Sequence, residues 1–117
     1  PYTQSTINYY EEKEILQLPP NAIVINIGRA GTLNEKALYA QLLAKKIYAA
    51  ALDVFEDEPL NADHHAWTIE NLFVSPHMAR SREIDPPFQF EKLFEENFNR
   101  YINSKPLLNV VDITKGY

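Results

Sequence analysis

Three short apolar runs, each followed by one polar side chain able to do chemistry, constrain this chain more than any other feature. Residues 22–27 (AIVINI) are apolar and β-branched, residues 47–54 form a second run, and residues 72–75 form a third, shorter one. The first run predicts a strand buried on both faces, as in a parallel sheet covered by helices. The segments between carry helical signals. Residues 10–18 place Tyr10, Ile15 and Leu18 at a weak helical spacing that Pro19 and Pro20 end. Asn34 reads as an N-cap with Glu35 in the first turn, Ala37, Leu38, Leu42 and Leu43 as one apolar face, and Lys45 and Lys46 as the last turn. Pro86 and Pro87 open a final helix, where Pro is tolerated, and Phe90, Leu93, Phe94, Phe98, Tyr101 and Ile102 give it a broad apolar face. Residues 56–71 are acidic and turn-rich, and residues 105–117 read as an extended tail. Strands alternating with helices predict an α/β fold with a parallel sheet. Three strands are few for such a sheet, so one long apolar edge should lie uncovered.

The polar residues that follow the runs are Arg29, Glu58 and His77. In open α/β sheets, ligands bind outside the carboxyl ends of the strands. A guanidinium is planar, always charged and able to grip a carboxylate through two parallel bonds. A histidine donates a proton near neutral pH, and a neighbouring carboxylate favours its charged form and fixes its ring. The trio can therefore bind an organic anion and move a proton.

Composition narrows the classes. The 117 residues suffice for one modest domain, and the apolar content of 45% is that of an ordinary soluble protein. A net charge of −5 argues against a nucleic-acid partner, which needs a basic patch. No apolar stretch is long enough to span a bilayer, and no secretory signal opens the chain. There is no cysteine, hence no disulfide framework and no thiolate metal site, which fits a reducing, cytoplasmic setting. The first residue is proline, so the chain is expected to begin inside a longer one.

With these residues in place, the chain resembles the cofactor-binding domain of the D-2-hydroxyacid dehydrogenases, specifically its C-terminal half. The likeness runs from PYTQST at Pro1 through VINIGR, LDVFEDEPL and SPHMA to PLLNVVD and the closing GY, in the family's order and near its spacing. The tail PLLNVVDITKGY is most like the glyoxylate and hydroxypyruvate reductase branch. The resemblance implies half of a Rossmann-like doubly wound sheet, strands four to six of six. It implies residues 1–104 as the partial cofactor domain, and hydride exchange between NAD or NADP and a small 2-keto or 2-hydroxy acid. By resemblance, Arg29 binds the substrate carboxylate and polarises the keto oxygen, His77 protonates that oxygen, and Glu58 hydrogen-bonds the histidine. Asp53 matches an acid near the nicotinamide amide, Ile27 and Gly28 match backbone positions beside the cofactor, and Thr6 matches a threonine near its ribose.

The chain also departs from the family pattern. The GxGxxG turn that cradles the pyrophosphate is absent, since Gly28, Gly31 and Gly116 are the only glycines. The separate substrate domain is absent too, and NAD and NADP both stay open. Ala30 stands where the family has glycine, which adds strain if the backbone there needs positive φ, with Gly31 as a compensation. Arg80 and Arg82 stand where small or hydroxyl residues usually follow the histidine, and residues 85–87 differ from the usual helix start.

Each sharp reading has a bland rival. An arginine after a strand or a glutamate in an acidic loop is ordinarily solvated, and a lone histidine is more often structural than catalytic; the VINIGR, EPL and SPH frames reverse this. His64 and His65 are adjacent on a loop and point apart, so no metal site is expected. Trp67 reads as a packing anchor. The expected function is a fragment of the oxidoreductase, inactive in isolation and needing the N-terminal portion of its parent enzyme. The alternative is a truncated, non-catalytic remnant that self-associates or binds a partner. A homodimer formed through the sheet edge or the aromatic helix is expected under either reading.

Overall fold

Three parallel strands form the sheet: β1 (Ile23–Asn26), β2 (Ala49–Leu52) and β3 (Leu72–Val74), in the order β1-β2-β3. Ile23 lies opposite Ala49, and Ala50 opposite Leu72. The structure, a computed structural model, describes residues 2–79 and 88–117, with residues 88 and 89 as backbone only. Arg80, Arg82 and residues 85–87, singled out in the sequence, lie outside the described residues. The contacts divide the chain into two units, Pro1–Ala79 and Arg80–Tyr117.

In the first unit, α1 (Glu12–Ile15) and α2 (Glu35–Leu43) pack on one face of the sheet. Ile15, Leu38 and Leu42 form a single buried cluster with Ala50 and Leu52. Burying each such aliphatic side chain stabilises the fold by about 1.5–3 kcal/mol. The opposite face is bare within this unit. Ile23 and Ile25 are 58% and 66% exposed and Phe73 68%, so β1 is not buried on both faces as its composition predicts. Burial on both faces needs helices on both, and here both helices lie on the side of Val24, Ala50 and Leu52. The outer edge of β1 has no strand partner among the described residues.

Other sequence readings shift for local reasons. The first helix does not start at Tyr10, because Tyr10 forms a parallel bridge with Leu33, donating to the Thr32 carbonyl and accepting from the Asn34 N–H. Instead α1 starts at a capping box in which the Glu11 N–H meets Glu14 Oε2 at 3.0 Å. Asn34 caps α2 as expected, its Oδ1 accepting the Ala37 N–H at 3.0 Å. The buried face of α2 is Glu35, Leu38, Tyr39 and Leu42, while Leu43 is exposed. Lys45 and Lys46 lie past the helix end. Lys45 sits at φ 52° and donates to the Leu42 carbonyl, and Lys46 donates to that of Gln41, the bonding of a Schellman cap. Trp67 is about half exposed rather than buried, and its indole N–H holds the Asn61 carbonyl at 2.9 Å.

The second unit is α3 (Phe88–Ile102) and the segment after it. Phe90, Phe94, Phe98, Tyr101 and Ile102 are all exposed. The tail is not simply extended. Asn97 brackets Leu108, accepting its N–H at 2.7 Å and donating to its carbonyl at 3.1 Å, and Arg100 donates to the Pro106 carbonyl. Asp112 then closes a turn by accepting from the Thr114 hydroxyl and N–H and the Lys115 N–H.

Candidate active site

Because the strands are parallel, the segments after β1, β2 and β3 leave the sheet on the same side, and these segments carry Arg29, Glu58 and His77. The first turn is folded by Asn26. Its Oδ1 accepts the Gly28 N–H at 3.1 Å and its Nδ2 donates to the Arg29 carbonyl at 3.2 Å. The Thr32 hydroxyl holds the same carbonyl at 2.7 Å. The Arg29 side chain bonds only the Gly28 carbonyl, through Nη1 at 2.9 Å, and makes no ion pair among the described residues. Its charge is therefore available to an anion. Ala30 and Gly31 lie in a 3-10 turn without positive φ, so the strain expected at Ala30 does not arise. At Gly31 the bare backbone lies against the tip of the Tyr2 ring, which a Cβ would displace.

Glu58 is held from two directions. Its Oε1 accepts the Phe55 N–H at 2.8 Å, and its Oε2 meets His77 Nδ1 at 2.8 Å. The His77 bond, followed by the Phe55 N–H, holds the Glu58 carboxyl below the ordinary glutamate range. With Nδ1 engaged, Nε2 is the ring nitrogen with no hydrogen bond among the described residues. His77 itself sits at φ 51°, a left-handed conformation uncommon for a residue with a Cβ.

Asp53 maintains that conformation. It is 2% exposed, and its carboxylate takes three donors: the Ser75 hydroxyl and the Met78 N–H on Oδ1, and the Ala79 N–H on Oδ2, the two amides at 2.9 and 2.8 Å. These residues bracket His77. Burial pushes the Asp53 carboxyl upward, and the Ser75, Ala79 and Met78 bonds more than offset it, leaving the group below the ordinary range. Through these bonds Asp53 holds the histidine loop.

Arg29, Glu58 and His77 line one open cleft of about 610 Å³, with Tyr2, Ile7, Asn8 and Phe55 among the other walls. Glu58 and His77 also border a second cleft of about 690 Å³ lined by Pro59, Leu60, Trp67 and Pro76. The remaining positions singled out in the sequence stand apart from the first cleft. The Thr6 hydroxyl accepts the Thr3 N–H at 2.8 Å and lies outside the lining. Ile27 is 66% exposed at the end of β1, and the Gly28 N–H is taken by Asn26. His64 and His65 do not point apart: their rings lie 4.5 Å from each other beside Tyr39, though no group of three potential metal ligands occurs among the described residues. Two residues with structural importance were not singled out as site residues. Ser75 had its place in the SPH frame as a signal. Glu35 had its place three and four residues before Leu38 and Tyr39, inside the buried stripe of α2.

Residues 1–79 match the D-isomer specific 2-hydroxyacid dehydrogenase, NAD binding domain. The chain belongs to this family. It is 41% identical over 78 residues to a glyoxylate/hydroxypyruvate reductase B of Enterobacter agglomerans, covering 67% of this chain and 24% of that protein. It is 42% identical over 83 residues to a D-3-phosphoglycerate dehydrogenase of Methanocaldococcus jannaschii, covering 71% and 16% respectively. Among solved structures, it is similar to a D-isomer specific 2-hydroxyacid dehydrogenase from Xanthobacter autotrophicus Py2 in complex with NADPH and MES. That likeness has a TM-score of 0.87 at 36% identity, over 100% of this chain and 47% of that one. An NADPH-dependent glyoxylate/hydroxypyruvate reductase from Sinorhizobium meliloti in complex with NADP and sulfate gives a TM-score of 0.83 at 30% identity, over 100% and 38%. The chain thus spans less than half of each of these dehydrogenases. The three-stranded parallel sheet is part of a Rossmann-like dehydrogenase domain.

Proposed function

We propose that this chain carries the acid–base half of an NAD(P)-dependent 2-hydroxyacid dehydrogenase acting on a small 2-keto acid of the glyoxylate or hydroxypyruvate kind. The observation that carries the reading is the 2.8 Å contact of His77 Nδ1 with Glu58 at the wall of a cleft that also holds Arg29. Arg29 receives the substrate carboxylate and draws electron density from the keto oxygen. His77, oriented by Glu58 through Nδ1, gives a proton from Nε2 to that oxygen as it becomes an alcohol. The nicotinamide cofactor supplies the hydride. The residues present fit only part of that cofactor. Ile27 and Gly28, after β1, would hold the nicotinamide end, while the chain has no glycine-rich turn for the pyrophosphate. The reaction therefore requires the N-terminal portion of the parent enzyme, and the isolated chain is inactive.

Consumption of NADH or NADPH with glyoxylate and hydroxypyruvate tests this, first with the chain alone and then with the chain joined to such an N-terminal portion. The joined protein should turn over, and His77→Ala should cost about 10²–10⁴-fold in rate. Turnover indifferent to His77→Ala, or no turnover with any 2-keto acid, would sink the reading. A second reading, a self-associating module, is favoured by the sheet face left bare within the first unit and by the exposed Phe90, Phe94 and Phe98 of α3. Light scattering at high concentration tests it, and a monomer would count against it.

A further inference from the structure

Two buried charged side chains occur among the described residues, Asp53 and Glu35. Asp53 holds the His77 loop. Glu35 lies outside the cleft, at the first position of α2 and 6% exposed. Burying a carboxylate in an apolar stripe costs stability unless its oxygens are bonded. Here both are: Oε2 accepts the Tyr39 hydroxyl at 2.9 Å, and Oε1 accepts the Glu56 N–H at 2.8 Å from 21 residues along the chain. Burial still leaves the Glu35 carboxyl above the ordinary range, with Tyr39 and the Glu56 N–H offsetting only part of it. The helix does not need this carboxylate as a cap, since Asn34 already serves.

The position of the Glu56 amide explains the arrangement. Glu56 follows Phe55, whose N–H is held by Glu58 Oε1 at 2.8 Å. Two consecutive amides are thus fixed by two carboxylates, one reaching from α2 and one at the cleft. The connection runs from Glu35 through the Glu56 and Phe55 amides to Glu58 and then to His77.

We propose that Glu35 is a positioning residue for the Glu58–His77 pair: by fixing the Glu56 amide from the core, it sets the turn that aims the Glu58 carboxylate at His77. Tyr39 holds the other oxygen of Glu35, with its ring edge-on to His65 at 4.8 Å. The charged and titratable groups facing Glu35 are Tyr39, Glu56 and His64, and those facing Glu58 are His77 and Asp53. The proposal rests on the acid–base reading of the pair given above. Its readout is the ionisation of Glu58, which needs no turnover, so the two can fail separately.

The test uses the 117-residue chain, with the Glu58 side-chain carboxyl followed by ¹³C NMR against pH and the Phe55 and Glu56 amides by ¹⁵N correlation. Glu35→Ala should move the Glu58 midpoint upward toward the ordinary glutamate range and shift the Phe55 amide. Glu35→Gln, whose amide oxygen still accepts the Glu56 N–H, should restore both in large part. Tyr39→Phe, which removes a partner of Glu35 but not the Glu56 bond, should leave the Glu58 midpoint where it is. If Glu35→Ala does not fold, Glu35→Asp takes its place, since its shorter side chain withdraws the oxygen from Glu56, and the same upward movement is expected. A Glu58 midpoint and Phe55 amide unmoved by Glu35→Ala, or by Glu35→Asp in its place, with only the melting temperature lowered, would reduce Glu35 to a structural residue and overturn the proposal.

Discussion

Replacing Asp53 by Asn should release the His77 loop at a cost that can be worked from its three bonds. The carboxylate accepts the Ser75 hydroxyl and the Met78 and Ala79 amides, and it is almost wholly buried. An Asn oriented to keep the two bonds on Oδ1 turns its NH₂ group against the Ala79 N–H. One charge-assisted bond is then lost, about 1.5–3 kcal/mol, and a donor is left facing a donor, about 1–3 kcal/mol more. Relaxation of His77 from its left-handed conformation returns about 1 kcal/mol. The net loss is about 1.5–5 kcal/mol. Ser75→Ala removes a single donor and leaves both amides held, so it should cost less, about 1–2 kcal/mol. A small domain with about 5 kcal/mol in total tolerates the second change comfortably and the first narrowly.

Urea unfolding midpoints of the two variants give the order. Hydrogen exchange of the Met78 and Ala79 amides shows whether the loss is local. The Ala79 amide should lose protection in Asp53→Asn while the Met78 amide keeps most of its own, and both should stay protected in Ser75→Ala. The Glu58 carboxyl should also rise toward its ordinary range in Asp53→Asn, because the His77 bond is its largest support. If Asp53→Asn unfolds within about 0.5 kcal/mol of the parent with both amides still protected, the carboxylate is not what holds the loop.

Two further outcomes are expected. Lys45→Gly should stabilise the first unit by about 1 kcal/mol, read as a higher melting temperature, because Lys45 occupies the left-handed position of the α2 cap where glycine carries no Cβ penalty. The pH dependence of stability should have two opposed parts. Asp53 and Glu58 lie below their ordinary values, so their contribution is present above the carboxylate range of about 4 and is lost as pH falls through their folded-state values. Glu35 lies above its ordinary value, so its contribution is present at low pH and is lost as pH rises through its folded-state value. Glu35→Gln should therefore gain on the parent as pH rises, and Asp53→Asn should converge with it as pH falls; urea midpoints across a pH series would contradict this if both differences stayed flat.

What was legible in the sequence follows the range over which each residue makes its bonds. The parallel sheet could be read because apolar runs and caps are local patterns, and Asn34 bonds an amide only three residues away. Whether β1 is covered could not be read, because Ile23 and Ile25 look the same in a strand with helices on both faces as in one with a bare face. The start of α1 moved because Tyr10 is drawn to Leu33, a partner invisible in the window around Tyr10. Arg29, Glu58 and His77 stood out because each follows a strand within a distinctive frame, and parallel strands bring such positions to one edge. Asp53 and Glu35 show the opposite case. Asp53 finds its donors 22 to 26 residues away, and Glu35 reaches an amide 21 residues away. Resemblance assigned one of them a ligand and left the other among ordinary first-turn glutamates. A buried carboxylate is set by the backbone amides that tertiary structure delivers to it, and those amides belong to the loops that bring Glu58 and His77 together.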